Sequence, residues 1–543
     1  MLIYTHSYTY VSEGVMASTV TVKGKNGRRY VYEVESFWNK EKKKPDSHRK
    51  CIGHIDEVTG EIVPNRPCRK KGEATKPVAA PSCSVIQNGI LNLANKAADE
   101  TGLKDCLIAA FPTTWDYLLS CALYLCATGQ PLYRMEGWSK SHSTYIGEPI
   151  VSQRISELLQ SIPDEDRQFF FRKWMKQDTE DTCYALDITS VSSYSENIAL
   201  TKYGYNRDHE KLPQINMLMM TGEKSRLPKY YGVLDGKIKD VSALRSATDH
   251  IQTLYQMENA HRINLSFAMD KGFFSQKNID DLYAKRLKFT LGVPFSSKLA
   301  REAVEENRET IETAQNLLSV RENEVYGTTK LSKWNGHRIY IHTYFDPDKY
   351  RGEMKDFNHR LKTTYDELCA GEKPDDESFV EKFFIVKHTP KRGTKVLWNE
   401  EAIAEHRKSR TGWFVLASNT IKDPEAALRI YRDKDAVEKN FDDLKNEMDM
   451  KRLRIHSEKT MEGRLFVQFL ALILSTWIKN KMRDANLFKK YSFREVMDEL
   501  GAFKLVTFSN RKKLVVPQVT KMQEKLAEVF DLDLTSLCIT SGF

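Results

Sequence analysis

The chain has 543 residues, of which 41% are hydrophobic and 29% charged, with a formal charge of +9 and a pI near 8.8. That length exceeds one ordinary core, so roughly three or four structural units are expected, and the composition excludes a disordered chain. The basic excess is compatible with nucleic acid without requiring it.

Residues 18–63 alternate apolar and polar positions between Gly-containing breaks, the pattern of a small β-rich module. Residues 1–80 carry 15 Lys/Arg against 9 Asp/Glu, concentrated around Lys40, Lys42, Lys43 and Lys44 and around Arg69, Lys70 and Lys71. His48, Cys51 and His54 are closely spaced, but no fourth ligand lies nearby and Arg49 and Lys50 oppose a cation, so no zinc site is read there. The nine cysteines form no Cys-x-x-Cys pair and fit buried thiols of a reducing compartment. Residues 65–82, rich in Pro, Lys and Arg, read as a linker.

From about 84 to 177 the periodicity is helical. Pro149 stands at an expected helix start, with Ile150, Ile155, Leu158 and Leu159 near one face. Ser152, Gln153, Arg154 and Ser156 form the polar remainder, either a DNA-facing surface or an ordinary solvated face.

Strands are expected at 183–189, 215–221, 230–234, 263–269 and 289–293, with helices at 242–256 and 275–285. This is a mixed α/β unit in the chain order of a ribonuclease H-like core. Asp187 lies in the first strand and Asp270 ends the fourth, at adjacent strand positions. Between 294 and 422 the pattern is interrupted by a charged helix over 301–321 and by strand-like runs at 338–344, 383–387, 396–398 and 412–418. We read this interval as a partly β insertion. The α/β unit resumes at Pro424 with a helix bearing Glu438, followed by a buried helix near 463–481. The apolar run at 466–478 contains Gln468 and is too short to span a bilayer, so no membrane segment is expected. No signal peptide is read, and the expected compartment is cytosolic. A hairpin-like piece at 503–516 and a helix at 521–529 close the chain.

On one continuous helix, Tyr431, Glu438 and Lys445 are seven apart and Lys434 lies four before Glu438, so all four are expected on one stripe. Ile430, Val437, Phe441, Leu444 and Met448 form the adjacent apolar stripe. A carboxylate flanked by two ammonium groups and a phenol suits a metal-dependent phosphodiester site. Taken singly, each acid also fits a bland role: Glu438 an i,i+4 ion pair, Asp187 and Asp270 turn residues. As an ordered set, the three make a hard oxygen cage for divalent ions.

These residues resemble the DDE transposases of bacterial insertion sequences, specifically the group with a Tyr-x2-Arg-x3-Glu-x6-Lys signature and a β-rich insertion before the glutamate. Here the signature reads Tyr431, Lys434, Glu438 and Lys445. It departs at Lys434, where charge is kept but the bidentate fork of arginine is lost, with Arg432 beside it as a substitute. The Asp270-Lys-Gly-Phe and Leu186-Asp-Ile-Thr-Ser segments resemble the family's other two motifs. The resemblance implies an α/β fold: a ribonuclease H-like catalytic core (181–295 and 423–490) interrupted by a β-rich insertion (296–422). An N-terminal β module with linker (1–80), a helical DNA-binding region (81–180) and a C-terminal region (491–543) complete it.

It also implies a cut-and-paste transposase and endonuclease in which Asp187, Asp270 and Glu438 are catalytic and hold two Mg²⁺ ions, with Mn²⁺ able to substitute. DNA contacts are expected from Tyr431, Arg432, Lys434, Lys445, Trp413 and Arg154. Some relatives hold a flipped base on an insertion-domain Trp, for which Trp413 and, behind it, Trp398 are the candidates beside an ordinary core role. The implied partners are the element's terminal inverted repeats, target DNA and a second copy of the chain in a synaptic homodimer. The implied location is the bacterial cytoplasm, with nucleoid association on DNA. A non-transposing nuclease and a silent DNA-binding descendant stay open as alternatives.

Overall fold

The computed structural model describes residues 17–25, 27–65, 83–177, 181–195, 197–256, 265–320, 323–389, 393–508 and 519–533, in two compact units, 1–82 and 83–543. In the first unit, strands Ala17–Lys23, Arg29–Asn39, Lys44–Ile55 and Ile62–Pro64 pair antiparallel in chain order. Val31 and Val34 are buried. Gly53 lets the last two strands close, because a Cβ there would stand 2.3 Å from the Val63 carbonyl oxygen. His48 stacks on Phe37 with centroids 5.2 Å apart, and the Cys51 thiol donates to the Gly53 carbonyl. Residues 66–82 of the expected linker lie outside the described residues.

The second unit begins with a strand, Cys83–Gln87, and the helices Gly89–Glu100, Leu103–Ala110, Trp115–Thr128, Met135–Ser139, Ser152–Ser161 and Asp164–Trp174. The fifth of these starts at Ser152, not at Pro149. The chain stays extended through Val151 while Ile150 is buried and its N–H donates to the Ser139 hydroxyl. These helices share one core with the sheet that follows.

That sheet is built on β1 (Tyr184–Ser193), β2 (Gln214–Gly222) and β3 (Pro228–Asp235), then, after helix α1 (Asp240–Gln256), β4 (Ser266–Met269), helix α2 (Gln276–Ala284) and β5 (Lys288–Val293). β1, β2 and β3 are successive antiparallel neighbours, and β4 and β5 add in parallel on the other side of β1. This is the mixed α/β core expected from the alternation of strand and helix patterns. β1, β2 and β5 are buried along almost their whole length, polar residues such as Thr189, Ser190 and Ser192 included.

The insertion divides between two places. After α3 (Lys298–Asn307) come β6 (Leu317–Val320), β7 (Asn323–Trp334) and β8 (His337–Phe345), and later β9 (Trp413–Ser418). These extend the core sheet, which runs β6-β7-β8-β9-β5-β4-β1-β2-β3. Between β8 and β9, helices Pro347–Ala370, Glu377–Phe383 and Glu400–Ser409 and the hairpin Phe384–Thr389/Gly393–Trp398 enclose a small core of their own. The helix expected over 301–321 ends at Asn307, whose side-chain amide turns back to the Ala303 carbonyl 2.7 Å away. The apolar residues beyond it pair as β6.

The chain re-enters through α4 (Pro424–Asp433) and α5 (Asp435–Asp442), a π turn (Asp443–Glu447), a two-residue strand β10 (Arg452–Leu453) on β1, and α6 (Glu458–Asp484). α6 is the one helix, among the described residues, long and apolar enough to cross a membrane, and 89% of its apolar stretch is buried in the protein. Gly463 brings it against helix Ser152–Ser161, where a Cβ would stand 2.1 Å from the Leu159 carbonyl oxygen. Strand Lys504–Phe508 pairs antiparallel with Cys83–Gln87, so the expected terminal hairpin has a distant partner; residues 509–518 lie outside the described residues. Helix Lys521–Phe530 follows.

Candidate active site

Parallel pairing of β1 and β4 sets Leu186 opposite Met269, so Asp187 and Asp270 follow at neighbouring positions. Side chains alternate along a strand, which turns both acids away from the core face that Leu186 and Met269 occupy. Asp187 is the one residue of β1 that is not fully buried. Burial pushes its pKa up to about 6, and the charge of Asp270 adds to the rise; the Ile188 N–H, Lys434 and Arg207 oppose it.

Asp270 accepts a 2.8 Å hydrogen bond from the Tyr431 hydroxyl. Gly292 on β5 makes room for that contact, since a Cβ there would lie 2.9 Å from the Tyr431 oxygen. Burial first, then the Asp270 charge, raises the pKa of the Tyr431 phenol and keeps it a donor.

The third acid is positioned by a broken helix. Asp423 caps α4 by accepting from the Ala426 N–H, and Pro424 starts it. A turn at Lys434 separates α4 from α5, and the π turn widens the far end. Lys434 Nζ lies 2.5 Å from Glu438 Oε1 and 5.5 Å from the Tyr431 ring centroid. Burial opposes the charge on Lys434, yet the carboxylates of Glu438, Asp270 and Asp187 together hold its pKa above the ordinary value. One ammonium group therefore feels all three acids.

Lys445 does not share that contact. A π turn takes an extra residue per loop of hydrogen bonding, so the seven-residue step from Glu438 no longer returns to the same stripe. Lys445 Nζ instead holds Asp208 at 2.8 and 2.9 Å. It still lines one cavity with Asp187, Thr189, Arg207, Asp208 and Glu438. Asp270, Lys271, Tyr431, Arg432 and Trp413 line the neighbouring cavity.

The other candidates lie further out. The Arg432 guanidinium donates to the Val320 carbonyl at 3.1 Å and to Asp346 at 3.2 Å, which ties α4 to the insertion and does not offer it beside Lys434. Trp413 is buried, with its ring 5.3 Å from that of Phe345 and the Arg308 guanidinium carbon 5.9 Å from its centroid. Trp398 belongs to the small insertion core, stacked on Tyr365 at 4.6 Å. Arg154 is exposed on helix Ser152–Ser161, over Tyr117 and 3.4 Å from Glu157, and lines neither cavity.

Residues absent from the sequence reading hold the site in place. Arg207 grips Asp240 at 2.7 and 2.8 Å. Asn440, two residues past Glu438, donates to Thr221 Oγ1 and the Arg226 carbonyl and accepts from Thr476. Lys479 pairs with Asp443 at 2.6 Å and Glu447 at 3.1 Å. Arg494 donates to the carbonyls of Cys126, Ala127 and Glu447, fastening the π turn to helix Trp115–Thr128. Asp443 and Glu447 are spaced i,i+4 in the sequence, but nothing there places Lys479 between them.

Among the described residues no three His, Cys, Asp or Glu side chains meet as a ready ligand set. Asp187, Asp270 and Glu438 nevertheless offer only carboxylate oxygens, the donors that Mg²⁺ and Mn²⁺ take, and so fit such an ion chemically.

A family model described as "Transposase DDE domain" matches residues 178–474, more than half of the chain and inclusive of all three acids. No curated protein matches the chain. Among solved structures, it is similar to a piggyBac transposase in a synaptic complex with hairpin DNA, at 10% identity and a TM-score of 0.34, over 82% of this chain and 77% of that one. That likeness is too distant to carry an argument.

Proposed function

The chain belongs to the transposase DDE domain family, and from this membership and the site's geometry we propose a cut-and-paste DNA transposase that cuts an element's ends and joins them to target DNA. The observation that carries the reading is the family match across all three acids, supported by the strand register that sets Asp187 beside Asp270 and by the Lys434–Glu438 pair, whose ammonium feels both of their charges. Parallel strand register and a helix break deliver them from three distant parts of the sequence. The three carboxylates are proposed to hold two divalent ions, Mg²⁺ or Mn²⁺. Bound there, such ions supply Lewis-acid polarisation of a phosphodiester and activation of the attacking oxygen.

The chain's own groups account for binding and positioning. Lys434, Lys445 and Arg207 bring cationic donors toward a DNA phosphate, each now neutralised by a carboxylate that a phosphate would compete with. Tyr431 orients Asp270 and stays protonated. In the first step a water oxygen bonds to phosphorus and the P–O3′ bond breaks; one water proton ends on the departing O3′, leaving a 3′-hydroxyl and a 5′-phosphate. In the second step that hydroxyl oxygen bonds to a target phosphorus and displaces the target's own 3′ oxygen. One phosphodiester is exchanged for another, so joining needs no external energy source. Two copies are proposed to synapse two inverted-repeat ends, with the basic N-terminal module, the helical region and the insertion as DNA contacts. Trp413 borders the cavity at Asp270, but its ring is buried against Phe345, which favours the core role over a base-holding one.

Incubation with Mg²⁺ or Mn²⁺, DNA bearing the flanking inverted repeats and a target plasmid tests the reading. Joined products are expected. Cleavage without joining would instead mark a nuclease, and binding without cleavage a silent DNA-binding protein.

A further inference from the structure

The connection from β1 to β2, residues 194–213, is long for two antiparallel neighbours, and it is fastened at many points. The Arg207 N–H donates to Ser190 Oγ at 2.8 Å, and the Asn206 amide donates to Ser192 Oγ at 3.0 Å. Gln214 donates to the Tyr205 carbonyl at 2.9 Å, and Lys202 and Gln214 exchange backbone hydrogen bonds. Gly204 is pressed against the turn after β3, where a Cβ would stand 2.0 Å from the Gly236 carbonyl oxygen. Arg207 holds Asp240, Asp208 holds Lys445, and Glu210 holds Arg452 at 2.7 Å.

Between the buried anchors Thr201 and Asn206, this clamped backbone presents Lys202, Tyr203, Gly204 and Tyr205 to solvent. Tyr203 is 69% and Tyr205 78% exposed, the most exposed aromatic rings among the described residues. Fixing a backbone costs roughly 1–2 kcal/mol per residue, and rings held in water return none of that through burial. A rigid mount for two open rings gains only when something flat lies on them.

The position says what that is. Arg207 and Asp208, in the same loop, line the cavity with Asp187 and Glu438, so a strand whose phosphate reaches those acids passes beside the two tyrosines. Lys202, His209 and Lys211 are exposed around them and complement a phosphate backbone. Bases inside a duplex already cover one another's faces, whereas unpaired bases offer a free face to an aromatic ring. We propose that Tyr203 and Tyr205 form a stacking platform for unpaired bases of the DNA strand next to the scissile phosphate, so that the DNA is bound with its end opened. The proposal rests on the transposase reading of the neighbouring acids.

The test compares the full-length protein's affinity, in EDTA, for a duplex with a short unpaired end and for the fully paired duplex of the same sequence. The wild type is expected to prefer the opened end. Y203A/Y205A should lose that preference, by about five- to a hundredfold per ring, with paired-duplex binding and Tm unchanged. Y203F/Y205F should keep it, because stacking needs the ring and not the hydroxyl. No preference in the wild type, a preference retained by the double alanine variant, or equal loss on both DNAs overturns the proposal. A changed sedimentation coefficient for the alanine variant without DNA also overturns it, by assigning the rings to a contact between copies. If the wild type binds opened DNA yet never cleaves or joins it, the transposase reading fails while the platform stands.

Discussion

Helix α6 and the α4–α5 segment pack on the same core and treat charge in opposite ways. In α6, residues 465–478 are buried, and of its polar members Gln468 donates to the Met448 carbonyl, Ser475 to the Leu472 carbonyl and Thr476 to Asn440. The α4–α5 segment breaks at Lys434, opens into a π turn and holds Tyr431, Lys434 and Lys445 largely buried against carboxylates. The first helix stabilises the body by removing apolar surface from water. The second gives up helical continuity and desolvates charges to bring groups from three chain segments together. On the proposed reading, stability and chemistry are carried by different elements of one core, and substitutions should separate them.

The largest stability effect is expected in α6. Phe469→Ala removes a fully buried ring that meets Phe171 and Tyr231 and should cost about 3–5 kcal/mol in chemical denaturation. DNA joining per folded molecule should be nearly unchanged at low temperature. Loss of joining in the folded variant would blur the contrast.

Gly292→Ala is the reverse case. Its Cβ would crowd the Tyr431 hydroxyl at 2.9 Å and the Lys271 amide at 3.0 Å, costing about 1–3 kcal/mol. Cleavage should fall further than Tm explains, because the Tyr431–Asp270 contact is displaced. Parallel losses would mean that the contact is only structural.

Asp187→Asn should stabilise. The folded-state pKa is raised to about 6 from 3.8, so the fold binds a proton more readily than the unfolded chain. The wild type therefore loses stability as pH rises from about 4 to 6. Asparagine removes that loss, with no advantage below pH 4 and an advantage on the order of 1–3 kcal/mol above pH 6. Melting curves at pH 4 and pH 8 check this, and equal effects at both would contradict it.

Arg154→Ala is the smallest expected change, within about 0.5 kcal/mol of stability. If Arg154 meets a phosphate, the slope of binding against salt should fall by about one unit. An unchanged slope assigns it to the solvated face.

The same contrast explains what was legible in the sequence. Asp187 and Asp270 could be placed on strands because apolar runs surround them, from 183 to 189 and from 263 to 269, and side by side because the order of strands and helices matches a ribonuclease H-like core; the parallel register itself came from the structure. Lys445 could not, since a π turn leaves hydrophobic periodicity almost unmarked and the apolar stripe through Leu444 and Met448 reads as ordinary helix. Arg207, Asp208 and the two tyrosines sit in a loop with no period at all. Strands β8 and β9 were visible as strands, whereas β6 fell inside the expected helix over 301–321 and β7 was not read; the joining of all four to the core sheet depends on long-range pairing through β9 and β5 that no local stretch contains.

The central claim is that Asp187, Asp270 and Glu438 act as one site. Its most direct measurement is Mg²⁺-dependent strand joining by Asp187→Asn, Asp270→Asn and Glu438→Gln beside the wild type, with DNA affinity measured on the same preparations. Each variant is expected to lose about a thousandfold or more in joining while binding DNA within a few-fold of the wild type. Full strand transfer by any one of the three would contradict the account.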